Sequence, residues 1–546
     1  MAGREFPAYG IALRRARAER RWSRPRLAYE LERVIRHEGK EPPERDSLIR
    51  MLRAWENGEH RPDDLNRQRL AEVLGPILDE DVKIIQPDLT AAAAPPSSRE
   101  LKTSEFVAWI AEHSALSFQE AYEAVVARAA WIEAQAPSVR HADAYRRSRV
   151  ARQQVAEAVV AYYGDDVDGS SRFYRAHVGG ASLTLSILVQ PGGLGAAVQL
   201  GGDQEQFQFS AQDAHLPVAP LQEAALEAAL MRLASVEVSN TVLVNTPLYR
   251  LLDIDIARHR LEGVVNLADF ASYALTMDLL ETELTGALAA AVPQRAGDGV
   301  VSAEVAAQLP LREKYLPGLA TALALDQRLC VGGPVALFAA ARRSSRGGHH
   351  ERDYALLIQE RSARVLNVTG KLAVVPKCFH EPTVEIGQEV RLSASLEREL
   401  EEELLGRQDL EGLTIGSQRQ ADPFHEDRLS EPMRWLRDRR DTDAYRVECT
   451  GFGINMVSGN YEFPCLILID DDEWWERYGG RVEANWEMER IRRYSSLDAA
   501  GIQALILDPR WSNEGLFAFL EGLRRLGELG NLSRLALPTI EVQVDG

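Results

Sequence analysis

The chain has 546 residues, a formal charge of −19, 45% apolar residues and 27% charged residues. That is the composition of a soluble globular protein with room for about three domains. No run of about 18 apolar residues occurs, so no transmembrane helix is expected, and the opening MAGREFPAYG lacks a signal-type apolar stretch. Cys330, Cys378, Cys449 and Cys465 include no CxxC pair. This argues against a zinc knuckle or a disulfide scaffold and fits a reducing cytoplasm.

Ile11, Leu13 and Ala16 mark a first helix. Ser23 is a natural N-cap for a second, which holds Leu27, Ala28 and Leu31. Asp46 or Ser47 can cap a third, Leu48 to Trp55. Asn57-Gly58 stops it, because both residues tolerate a left-handed backbone. Pro62 reopens the chain into a fourth helix ending at Leu74-Gly75. Between the second and third helices lies ERVIRHEGKEPPER, so either the second helix runs on to about His37 or a loop extends near Pro42-Pro43. Residues 1–75 carry 17 basic and 13 acidic residues, a net of +4 that leaves −23 for residues 76–546. A basic head on an acidic body points to nucleic acid, although Arg14, Arg15, Arg17, Arg20 and Arg21 could also simply solvate an exposed helix face.

The succession LRRARAERRWS, then LA, then LRAWENGEHRPD resembles the XRE/Cro-repressor family of bacterial helix-turn-helix DNA-binding domains. The resemblance implies that the amino-terminal half of the third helix enters the major groove of double-stranded DNA, which selects Ser47, Arg50 and Arg53. Arg50 and Arg53 are three apart and share a face, and an arginine fork suits a guanine edge or a phosphate. Leu52 and Trp55 have the spacing of the buried side. Such heads read paired half-sites, so a homodimer is expected.

Residues 86–99, QPDLTAAAAPPSSR, read as a linker. Residues 100–330 read as a mostly helical middle domain. A short β segment interrupts it near 173–210, where FYRAHVGGASLTLSILVQPGGLGAAVQL has strands broken by Gly-Gly turns. In residues 331–546, PVALFAAARR, YALLIQERS, VLNVTGKLAVVPK, VECTGFGINM and FPCLILID read as strands. RLSASLERELEEELLG, LDAAGIQALILDP and NEGLFAFLEGLRRLGEL read as helices, giving an α+β mixture.

The first of these helices carries the densest chemistry. Leu392, Leu396, Leu400 and Leu404 make an apolar stripe, and Glu399, Glu402 and Glu403 crowd its border. Crowded carboxylates need protons, arginine partners or a cation such as magnesium. RELEEELLG, with YALLIQERS upstream, resembles the Nudix hydrolase family. The resemblance implies metal-ligand positions at Glu399, Glu402 and Glu403, oriented by Arg398. The pattern departs from the family in three places. Gly406 comes one residue late, Glu389 lies one residue too far upstream, and VVPKCFHEPTVEIGQE lacks the usual Gly-Gly. His380 and His425 read as exposed loop histidines or ligands, and Cys378 as a loop or core thiol. Trp474, Trp475, Tyr478 and Trp486 read as packing against the sheet or as stacking on a base-like ligand.

The expected fold class is therefore an all-α helix-turn-helix head (1–85), a mostly α middle domain (100–330) and an α+β Nudix-like carboxy-terminal domain (331–546). The expected function is a cytoplasmic, DNA-binding transcriptional regulator. Its carboxy-terminal domain would be a non-catalytic sensor of a nucleotide-derived ligand or an interaction module. The alternatives are a magnesium-dependent Nudix hydrolase and a non-enzymatic scaffold.

Overall fold

Leu27, Ala28, Leu31, Leu48 and Leu52 recur at helical spacing, and each lies on the inner side of a helix. In the computed structural model these helices are α1 (Arg24–His37) and α2 (Arg45–Glu56). The structure describes residues 13, 17, 22, 24–37, 42–43, 45–56, 62, 66, 69–70 and 73 of the amino-terminal region. Beyond it, the structure describes 101–135, 146–164, 171–211, 219–239, 241, 243–291, 309–343, 352–361, 371–382, 390–405, 429–440, 442–482, 488–529 and 537–543. The chain divides into two compact units, Met1–Arg99 and Glu100–Gly546. In the first, Leu13, Leu27, Ala28, Leu31, Leu48, Leu52, Trp55 and Leu70 share one core. Of the two readings of the insert, helix extension to His37 is observed. No described helix is long and apolar enough to cross a membrane.

The second unit begins with α3 (Ser104–Glu112), α4 (Phe118–Ala134) and α5 (Arg152–Tyr163). Strands β1 (Arg172–Val178), β2 (Ala181–Val189), β3 (Leu194–Gln199) and β4 (Glu205–Phe209) follow. Gly179 and Gly180, both at positive φ, turn β1 into β2. After α6 (Glu223–Ser239) come β5 (Pro247–Ala257), β6 (Arg260–Asp269) and α7 (Leu279–Ala291). Strands β7 (Gly332–Arg343), β8 (Arg352–Arg361) and β9 (Leu372–Val374) lead to α8 (Leu392–Leu404) and α9 (Glu431–Arg437). Then come β10 (Tyr445–Gly451), β11 (Gly453–Asn455), β12 (Asn460–Ile469) and α10 (Asp472–Tyr478). The chain closes with β13 (Met488–Ser495), α11 (Ala499–Ile506), α12 (Asn513–Glu528) and β14 (Ile540–Val542).

The strands form an 11-stranded mixed sheet, whose main path is β13-β8-β7-β12-β11-β2-β1-β14, and a 3-stranded sheet ordered β4-β6-β5. At the centre of the large sheet β7 and β12 run parallel. Both read as near-continuous apolar runs because helices cover both of their faces. Val335, Leu337, Leu466 and Leu468 face Phe517, Leu520 and Leu523 of α12. Ala336, Phe338, Phe463 and Cys465 share the opposite core with Leu392, Leu396, Leu400 and Leu404 of α8.

This architecture corrects the expected fold class. The protein is α+β throughout its large unit, rather than an all-α head followed by a mostly α middle domain and a separate α+β Nudix-like domain. Strands β1 to β4 fall on the β segment expected near 173–210, but β5 and β6, 11 and 10 residues long, lie where helix was expected. The expected division at 330/331 cuts through the large sheet: β2 pairs with β11, and β3 with β10. Strand pairing is long-range, so local helical periodicity around these strands carried no sign of it.

Candidate functional site

In the amino-terminal unit, burial of Leu48, Leu52 and Trp55 turns the other side of α2 outward. Arg50 and Arg53 are exposed there, and Ser47 is half-buried beside them. The Arg50 guanidinium donates to Ser47 Oγ at 3.1 Å. Ser47, Arg50, Met51, Ala54 and Trp55 line an open concavity of about 340 Å³. The end of α2 is anchored by Glu56, which is buried and paired with Arg17 at 2.5 Å and Arg24 at 2.8 Å. Burial pushes the Glu56 carboxyl up, but the two guanidiniums outweigh it and hold it below the usual carboxylate range. Arg17 is thus a structural partner and not a freely solvated charge.

In the large unit the leucine stripe seats α8 on the sheet and places its carboxylates along two borders. On one, Glu397 pairs with Arg437 and Arg440, and Glu401 accepts from the Ser430 amide and hydroxyl. On the other, Arg398 lies 3.0 Å from Glu381 and 3.9 Å from Glu399. Burial lowers the Arg398 guanidinium, but Glu381 and Glu399 outweigh that and keep it firmly charged. Glu403 is buried and accepts from the Lys377 amide at 3.4 Å. Glu402 is half-buried on the same helix.

The carboxylates therefore settle mainly on arginines and backbone donors. Among the described residues no group of three His, Cys, Asp or Glu side chains could hold a metal ion. Glu399, Glu402 and Glu403, the positions that the Nudix resemblance implies, are not gathered into such a group. Glu389, Gly406, His425 and Trp486 lie outside the described residues.

The segment before α8 continues the sheet. The His380 amide donates to Gly332 O and the Ala336 amide to Pro376 O, so residues 376–380 lie alongside β7. A Cβ on Gly333 would stand 2.2 Å from Cys378 O, so only glycine allows this approach. Cys378 is a half-buried thiol packed against the core: burial, then Glu399, pushes it well above its ordinary value. His380 is fully buried between the rings of Phe207 and Tyr249. Neither ring nitrogen has a hydrogen-bond partner, and burial lowers its pKa to about 3. Trp474 and Tyr478 are buried in the core, which settles them as packing residues. Cys449 and Cys465, 16 positions apart, face each other across β10 and β12 as buried free thiols.

A second charged cluster had no sequence motif. The Lys377 side chain pairs with Glu514, in the first turn of α12, at 2.7 Å. Glu462 stands on β12 between Gly333 of β7 and Gly453 of β11. It is buried, and Asn455 Nδ2 donates to it at 3.4 Å. Burial raises Glu462 to about 8, with Lys377 lowering it and Glu514 opposing Lys377. Burial also pushes Glu514 up, but Lys377 wins there and holds it below the usual range. The only advance signal was a glutamate inside the apolar strand YEFPCLILI, and one of just six lysines in the chain.

No protein-family model matches the chain, and no curated protein matches it.

Proposed function

We propose that this protein is a sequence-specific DNA-binding transcriptional regulator that acts as a homodimer in the cytoplasm. Residues 1–99 read the DNA, and residues 100–546 serve as a sensor or interaction module. The observation that supports the reading is the outward face of α2, where Arg50 and Arg53 are exposed above the buried Leu48, Leu52 and Trp55. A helix held rigidly from behind can present two arginine forks to a groove, and the net charge of +4 over residues 1–75 adds attraction to phosphate. In the large unit, the segment VVPKCFHEPTVEIGQE before α8 lacks the Gly-Gly of the Nudix pattern, which favours sensing over turnover.

The test is a gel shift of the full-length protein against genomic fragments it selects. Arg50→Ala with Arg53→Ala should cost at least about tenfold in affinity, because each bidentate base contact is worth about 1–3 kcal/mol. A phosphate role would instead weaken all sequences alike and reduce the salt slope by about one per contact. Equal binding by the double variant and the parent would overturn the assignment.

A further inference from the structure

The cluster around Lys377 joins three layers of the large unit. Lys377 comes from the segment alongside β7, Glu462 from the middle of β12, and Glu514 from the first turn of α12. Glu462 shares the α12-facing side of its strand with Leu466 and Leu468, which alternate with it and pack in the α12 core. Its two flanking sheet neighbours are glycines, so no side chain from the adjacent strands covers the carboxyl.

One ammonium faces two carboxylates here. The ammonium is committed to Glu514 at 2.7 Å, and Ser512 adds a hydrogen bond to that carboxylate. Glu462 is left with the long contact from Asn455, and the further charge that reaches it, Glu281 on α7, is also negative. A buried carboxylate with no cation of its own is expensive, so the neutral acid is the form that suits this position.

We propose that Lys377, Glu514 and Glu462 form a proton-operated lock that fastens the first turn of α12 to the large sheet. With Glu462 neutral, the charges of Lys377 and Glu514 balance and the lock is closed. When Glu462 ionises, the cluster carries a net negative charge inside the core, Glu462 and Glu514 repel, and the first turn of α12 lifts from β12. Lys377 also holds Glu403 of α8 through its backbone amide, so movement of the lock reaches the acidic helix on the opposite face of the sheet. The ligand that this device senses is the proton.

The sign follows from linkage. Glu462 is raised in the folded state to about 8 from 4.5, so its contribution is complete below about pH 4.5 and is lost as pH rises through about 8. Glu514 is lowered, so its contribution is present above pH 4.5 and is lost in acid. Between these limits, opening of the lock should become about tenfold easier per pH unit, the slope of one bound proton.

The full-length protein can be tested by hydrogen exchange and infrared spectroscopy from pH 5.5 to 8.5. Protection of the amides of Glu514, Gly515 and Leu516, corrected for intrinsic exchange, should fall about tenfold per pH unit up to about pH 8 in the parent and stay level in Glu462→Gln. The infrared band of a neutral carboxylic acid should be present at pH 7, titrate near pH 8 and be missing from Glu462→Gln. A parent slope retained in Glu462→Gln would overturn the proposal. Should that variant fail to fold, the parent alone decides: no neutral carboxyl at pH 7 sinks the lock.

Discussion

Glu56 in the amino-terminal unit and Glu462 in the large unit are buried almost equally, at 2% and 3% exposure. Their ionisation moves in opposite directions. Glu56 sits between two guanidiniums and is held charged, whereas Glu462 has an amide and an ammonium that pairs with Glu514. Depth of burial therefore does not decide whether an interior carboxyl is charged; the number of uncommitted cations in reach does. The first arrangement pins helices together, and the second leaves a seam that protons can adjust.

The largest expected effect breaks the first arrangement. Glu56→Ala removes the shared partner of Arg17 and Arg24 and should cost the amino-terminal unit about 3 kcal/mol, the low end for breaking a buried pair because Arg24 is partly exposed. Hydrogen exchange over α1 and α2 in the full chain reads this, and unchanged protection would show that the clamp contributes nothing.

His380 sharpens the comparison as a buried group with no polar partner for its ring. Its folded value of about 3 lies below 6.5, so the stability it allows is present above about pH 6.5 and is lost as pH falls. Between pH 6.5 and 5 the loss should be about 2 kcal/mol, and His380→Phe should abolish it. Urea titrations followed by tryptophan fluorescence at those two pH values would distinguish a flat variant from one that tracks the parent.

The smallest expected effect is the acid limb of Glu56. Its carboxyl is lowered, so protection over α1 and α2 should hold above pH 4.5 and decline below it, opposite in sign to the Glu462 lock. Protection that rises on acidification would contradict the pairing with Arg17 and Arg24.

How much of this was legible in advance depends on the range of the interaction. The leucine stripe of α8, the Gly179-Gly180 turn and the buried Leu52 and Trp55 follow from residues a few positions apart, so pattern alone located them. The β5–β6 pair alternates in LYRLLDIDIARHRLEGVV, but the alanine-rich helices that flank it give the stronger local periodicity. The union of β1–β3 with β10–β11 could not be read locally, since nothing in a strand names its partner. The site divides in the same way. Glu399, Glu402 and Glu403 stand out as a run, but Lys377, whose amide donates to Glu403, and Glu381, which shares Arg398 with Glu399, lie on a different segment. Glu462 and Glu514 are 52 positions apart and meet only through the fold.

The pairing of β3 with β10 also sets a schedule for synthesis. Gln199 leaves the ribosome roughly 250 residues before its partner Glu448. At about 5–20 residues per second, β2 and β3 wait on the order of ten to fifty seconds with bare hydrogen-bonding edges. Edges of that kind recruit other strands, so the growing chain is most vulnerable to aggregation in this interval. Slowing translation between residues 200 and 450 should lengthen its dependence on chaperones, whereas slowing it within the first 99 residues should not.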